Sequence, residues 1–144
     1  MLELMVTIAV LAILVTVGVP NFRDLIQNNR VTTQANELVT ALNLARTEAV
    51  KRGRNVQVEV ELSEPGWQAT VSIVGEAEAL RVFDRTGSAI TVNESTLVFS
   101  ATGRPLATET FTMQPKSGCS GEQRREIVVG ASGQIRTTRE PCQL

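Results

Sequence analysis

The stretch LELMVTIAVLAILVTVGVP, residues 2–20, decides the reading of the chain, because no charged residue occurs from Leu4 to Val19. At about 1.5 Å of rise per residue, a helix of this run and its flanks spans most of a bilayer's hydrocarbon, which takes about 20 apolar residues. One anomaly, Glu3, stands at its start. A secretory signal peptide would carry an apolar core of about 7 to 15 residues, a basic region before it and a small-x-small cleavage site after it. Neither flank is present.

Working outward, Phe22, Leu25, Ile26, Asn29, Ala35, Leu38, Val39, Leu42, Ala45 and Ala49 recur at helical spacings, with Gln27, Arg30, Gln34, Glu37, Asn43, Arg46 and Glu48 between them. Such a pattern predicts that one helix leaves the membrane and becomes amphipathic without a break in phase. Gly18 and Pro20 lie at the changeover, where proline removes a backbone hydrogen bond and is expected to kink or loosen the helix rather than end it. The helix is expected to stop near Lys51, since Lys51 and Arg52 complement the negative end of its dipole and Gly53 accepts a left-handed cap. The basic cluster at 46–54 is thus read as helix termination rather than a ligand site.

Beyond Gly53 the period changes to two. Val56, Val58, Val60 and Leu62 alternate with polar residues, Ser63-Glu-Pro-Gly66 makes a turn, and Trp67, Ala69, Val71 and Ile73 form the second arm of a hairpin. Further strands are expected at 80–84, 90–92, 96–100 and 108–114, with a terminal hairpin of 125–129 and 134–138 around Ala131-Ser-Gly133. The predicted architecture is α+β: a long N-terminal helix packed on an antiparallel β-sheet domain. It divides into residues 1–20, a membrane-spanning half-helix that would form a filament core; 21–53, the amphipathic half; and 54–144, the sheet domain.

Composition narrows the function. The chain has 144 residues, enough after the helix for a single modest core. A net charge of −1 gives no global attraction to nucleic acid or anionic lipid. There is no histidine, which removes Ser-His-Asp and Cys-His catalysis and imidazole-held zinc, and with one tryptophan and no tyrosine a base-stacking platform is not expected. No catalytic residue, metal site, cofactor or small-molecule substrate is expected.

The segment MLELMVTIAVLAILVTVGVPNF resembles the N-terminus of mature type IV pilins and type II secretion pseudopilins, which begin Phe-Thr-Leu-Ile-Glu-Leu after a basic leader ending in glycine. Glu3, Leu4 and Met5 match that family's glutamate and the residues after it, and the exit is Gly-x-Pro-x-Phe. The leader, its glycine and the first two mature residues are missing, with Met1 in their place, so a truncated chain or a start placed downstream of the true one is expected. More narrowly, four motifs resemble the GspH/FimT group of minor pilins: Arg-x-Glu-Ala and Gly-Arg at the helix end, Gly66-Trp67 at a turn, Phe99-x-x-x-Gly103-Arg104-Pro105, and Gly133-x-x-Arg136.

That resemblance implies a membrane-anchored, non-enzymatic subunit, single-pass in the bacterial inner membrane with its globular domain in the periplasm, whose helix packs with other pilin or pseudopilin subunits. It also implies that Glu3 pairs with the N-terminal amine of a neighbouring subunit. Folding the last hairpin about residues 131 and 132 brings Cys142 opposite residue 121, two residues from Cys119, so a disulfide is geometrically plausible there; the alternative is two free thiols. Some FimT-type members bind DNA through a C-terminal Gly-Arg-x-Arg. Here Arg136 matches its last position and Gln134 replaces its first arginine, leaving Arg124, Arg125, Arg136 and Arg139 as candidates for weak DNA binding. Three rivals thus stand beside a pilus subunit: a secretion pseudopilin, a DNA-uptake pilin and a membrane-anchored enzyme.

Overall fold

A computed structural model describes residues 2–142; Met1, Gln143 and Leu144, which terminate the first and last expected segments, lie outside the described residues, as do the side chains of Val17 and Pro20. The elements are α1 (Leu2–Arg52), β1 (Val56–Leu62), β2 (Trp67–Ile73), β3 (Ala79–Asp84), β4 (Ile90–Val92), β5 (Ser95–Phe99), β6 (Glu109–Pro115), β7 (Arg124–Val129) and β8 (Ile135–Glu140). The backbone of α1 is helical through Gly18 and Pro20 for 51 residues, so the proline does not end it.

The helix ends as its sequence predicts. Gly53 has a φ of 63°, Arg54 N–H donates to the Ala49 carbonyl at 3.2 Å and Gly53 N–H to that of Val50 at 3.4 Å. These bonds satisfy two of the last helical carbonyls in the Schellman arrangement. Arg52 Nε also donates to Glu48 at 2.6 Å, and that contact holds the Glu48 carboxyl below the ordinary carboxylate range.

The strands, however, form two sheets where the sequence reading anticipates one: β3-β2-β1-β5 and β4-β6-β7-β8. Alternation shows which face of a strand is buried and not which strand lies beside it. After the β1–β2–β3 meander, β4 pairs antiparallel with β6 (Ile90 opposite Pro115), while β5 returns to β1 (Phe99 opposite Val56). Each sheet buries one face. Val56, Val58, Trp67, Val71, Leu97 and Phe99 from the first, and Phe111, Met113, Ile127 and Val129 from the second, join one core with α1. The helix contributes Val31, Ala35, Leu38, Ala41, Leu42, Ala45 and Ala49, all at or below 1% exposure. Four of these seven are alanines, which let the helix axis come close to both sheets.

The amphipathic phase breaks where the sequence reading has it continuous. At about 100° per residue, Phe22, Leu25 and Ile26 lie roughly 120–160° around the helix from Leu38, so the six-residue step from Asn29 to Ala35 joins two different faces. Leu38 is fully buried, whereas Phe22 is 63% and Leu25 54% exposed. Gln27 and Asn28 are half-buried, and full burial of the helix begins at Val31.

Three polar devices fix the helix on the sheets. Trp67 Nε1 donates to Gln34 Oε1 at 2.7 Å and Gln34 Nε2 donates to Ser88 Oγ at 2.7 Å, so a glutamine from the presumed polar face serves the core tryptophan. Arg85 makes a two-pronged ion pair with Glu37, clamping the β3–β4 connection to α1. At the opposite end Arg46 Nη1 donates to the Gly133 carbonyl at 2.9 Å. Gly133 has a φ of 82°, and a Cβ there would overlap the Gly103 carbonyl. Three of the recognised motifs therefore meet at one point, where the helix end locks the β5–β6 and β7–β8 turns.

Candidate assembly surface

Exposure divides α1 into two functional parts. Every described side chain from Leu2 to Val19 faces solvent, although this is the most apolar part of the chain. The segment is long and apolar enough to cross a membrane. Together with Phe22, Leu25 and Ile26 it forms a continuous apolar surface far beyond what a soluble monomer leaves uncovered. Glu3 lies in the first turn of this helix, where a carboxylate also complements the positive end of the dipole.

Between the exposed and buried parts, Asp24, Gln27, Asn28 and Thr32 of α1 receive polar contacts from one segment. Gln27 Nε2 donates to the Ser117 carbonyl at 2.9 Å, and Gln123 Nε2 to the Asp24 carbonyl at 3.4 Å. Arg125 Nη2 donates to Asn28 Oδ1 at 2.5 Å and to Thr32 Oγ1 at 3.1 Å. That segment is closed by a disulfide between Cys119 and Cys142, with a Cα–Cα distance of 5.9 Å. Cys142 N–H donates to the Gly121 carbonyl at 3.0 Å, so the chain after β8 pairs on close to the line extrapolated from the hairpin.

The four candidate DNA-binding arginines do not form one surface. Arg125 is 2% exposed and also donates to the Glu122 and Arg124 carbonyls, so it is a structural residue and unavailable to phosphate. Burial lowers its pKa from the usual arginine value, Arg139 lowers it further and Glu122 opposes both. Register places Arg139 opposite Arg125 on the helix-facing side of β8, beside a cleft that also holds Asp24 and Glu122. Arg136, opposite Val128, points to the other side. Arg124 is half-buried there, opposite Glu140, and its Nε has no hydrogen-bond partner among the described residues. Arg124 and Arg136 alone share an accessible face, with Glu126 and Glu140 on it as well.

Residues 34–133 match the family model described as Type II transport protein GspH. The chain belongs to the GspH family. Crystal structures of the Pseudomonas aeruginosa (strain PAO1) type IV minor pilin FimU resemble it in two crystal forms. In space group P21 the TM-score is 0.64 at 24% identity, covering 78% of this chain and 90% of that one; in P65 it is 0.60 at 25% identity, covering 77% and 93%. Comparison with curated proteins gives no match. The family and fold are those of pilin-type structural proteins rather than enzymes, and the long helix on antiparallel sheets is the pilin-like α+β fold.

With Arg125 buried and Arg139 on the opposite side of the sheet, only Arg124 and Arg136 share a face, together with two acids, which sets a low ceiling on DNA affinity, since affinity grows with the number of phosphates neutralised. Residues 21–144 are expected to bind duplex DNA weakly or undetectably at about 150 mM salt, with a log–log salt slope no steeper than roughly −2. Mobility shift with Arg136→Ala checks this. Retardation of DNA at that salt, lost in the variant, would reinstate a nucleic-acid surface.

Proposed function

We propose that this GspH-family protein is a minor pilin: a subunit anchored in the bacterial inner membrane by residues 1–20, with its sheet domain in the periplasm, that packs through α1 into a type IV pilus. The single observation that supports this is the division of α1 into a fully exposed apolar part and a part buried under two sheets. Such a helix requires a lipid or protein environment for the first and none for the second. Glu3 then supplies the one charge of the apolar part, and in the pilin family its partner is the N-terminal amine of the adjacent subunit. Gly18 and Pro20 mark the point where the helix bends or loosens on packing. The second reading, a pseudopilin of a type II secretion system, uses the same helix and domain; the FimT-like DNA-uptake reading is weakened by the burial of Arg125.

The experiment is fractionation in the native host of the full protein, its Glu3→Leu variant and a form restricted to residues 21–144. The full protein is expected in membranes and in sheared surface filaments; Glu3→Leu keeps the membrane fraction and is depleted from filaments at least severalfold, because losing a charge on an apolar helix does not weaken insertion. Residues 21–144 are expected to be soluble and monomeric. Undiminished filament incorporation of Glu3→Leu would sink the assigned role of that carboxylate. Loss of protein secretion with intact pili would favour the secretion assembly.

A further inference from the structure

Where α1 leaves its apolar run it carries two arginines with no hydrogen bond or ion pair among the described residues, Arg23 and Arg30. Glu3 and Arg23 are twenty positions apart, about 30 Å along a helix, which equals the thickness of bilayer hydrocarbon. With Glu3 at one boundary, Arg23 sits at the other. Arg30 follows seven positions later and so on nearly the same face. Helical side chains lean toward the N-terminus, so its guanidinium reaches back toward the bilayer, into a headgroup layer roughly 5–8 Å thick.

Both arginines border a groove of about 670 Å³, whose far wall is the connection from Asp84 to Ala89 and whose lining includes Ile26. The other charges in it have partners within the domain, although the Asp84 carboxylate, bonded only to neutral groups that favour its ionised form, keeps its negative charge. Asp84 accepts from Thr86 N–H at 2.7 Å and from Thr86 Oγ1 at 2.5 Å, and Arg85 is paired with Glu37. Gly87 and Ser88 spend their N–H groups on the Pro65 and Arg85 carbonyls, so the wall offers no amide cradle. The groove therefore presents two free guanidiniums at headgroup depth beside an apolar surface continuous with the membrane-spanning helix.

We propose that this groove binds the phosphate of an anionic phospholipid, held by Arg23 and Arg30, while the apolar part of α1 spans the bilayer. Guanidinium matches phosphate oxygens in a two-pronged geometry, and Ile26 meets the glycerol and upper acyl region. The inference rests on the membrane-anchored reading above. A lipid so bound would hold the subunit in the membrane at a defined depth and would be released when the helix passes into an assembly.

The test reconstitutes the full chain in vesicles of phosphatidylcholine with a minor share of phosphatidylglycerol, and counts both lipids retained on the extracted protein by native mass spectrometry. Wild type is expected to retain phosphatidylglycerol in excess of its share. Arg23→Gln with Arg30→Gln should lower that excess by roughly 25-fold, at about fivefold per basic residue, while Arg104→Gln with Arg136→Gln, an equal charge change elsewhere, leaves it in place. Carbonate extraction of the same vesicles reads insertion separately. A chain that resists extraction yet shows no enrichment, or equal losses in both double variants, overturns the lipid site and leaves the anchor standing; a chain stripped by carbonate overturns both. Cross-linking between copies that depends on Arg23 and Arg30 with lipid retention unchanged would give the groove to a carboxylate face of another subunit and overturn the proposal.

Discussion

Replacing Cys119 and Cys142 together with serine is expected to lower the stability of residues 21–144 by about 3 kcal/mol and their melting temperature by roughly 10 °C. The bond spans a sequence separation of 23 residues, and closing a loop of that size removes entropy from the unfolded chain in proportion to the logarithm of its length. The loss should not be uniform. β8 is an edge strand paired only with β7, and its residues are half-buried or exposed. The disulfide joins the chain after β8 to the loop before β7.

Hydrogen exchange should therefore rise first in 117–123 and 135–142, and next in residues 24–30 of α1, which that loop holds through Gln27 and Gln123 rather than through buried apolar contacts. The core half of the helix, from Val31 onward, should stay protected. An unchanged melting temperature in reductant would mean that the bond contributes nothing to the folded domain. Uniform loosening along α1 would mean that residues 24–30 are held by something other than the disulfide-closed segment.

Where a signal was local, the sequence was legible. Gly53 with two basic residues before it marks a helix end because the dipole and the left-handed cap are decided within a few residues. Val56, Val58 and Val60 reveal a half-buried strand because the pleat has period two. The cysteine pairing could be extrapolated because an antiparallel hairpin carries its register outward from the turn. Strand order was not legible. Nothing in residues 90–99 says that β4 goes to β6 and β5 to β1, since that choice is made by how two apolar faces close over one helix. The helix phase misled for a different reason. Spacings of three and four link each apolar residue to the next, yet one six-residue step rotates the stripe, and Phe22 ends almost opposite Leu38. Gln34 and Arg46 were hidden because a polar residue at the margin of a buried face becomes structural only when a distant donor or acceptor arrives, here Trp67 and Gly133.

Arg125 is the instructive failure of the sequence reading, because the information was present. In β7 it shares its face with Ile127 and Val129, two and four residues on, so the period that buries those two also buries the arginine. Counted as one of several C-terminal cations it points to DNA; placed on its face it points to the helix. Arg125→Ala is accordingly expected to destabilise residues 21–144 by roughly 2 to 4 kcal/mol, by emptying a side-chain volume and leaving Asn28 Oδ1 and the Glu122 carbonyl without their donor. Arg125→Met should recover a large share of that loss, because it refills the volume and removes a buried charge whose desolvation is the largest influence on it. Neither variant should alter phosphate or DNA binding once compared at equal folded fraction. Chemical denaturation of the three proteins, with a DNA titration alongside, checks the argument. A fully stable Arg125→Ala domain with weakened DNA binding would return the residue to the surface role that its sequence neighbours imply, and would require β7 to present its other face to the helix.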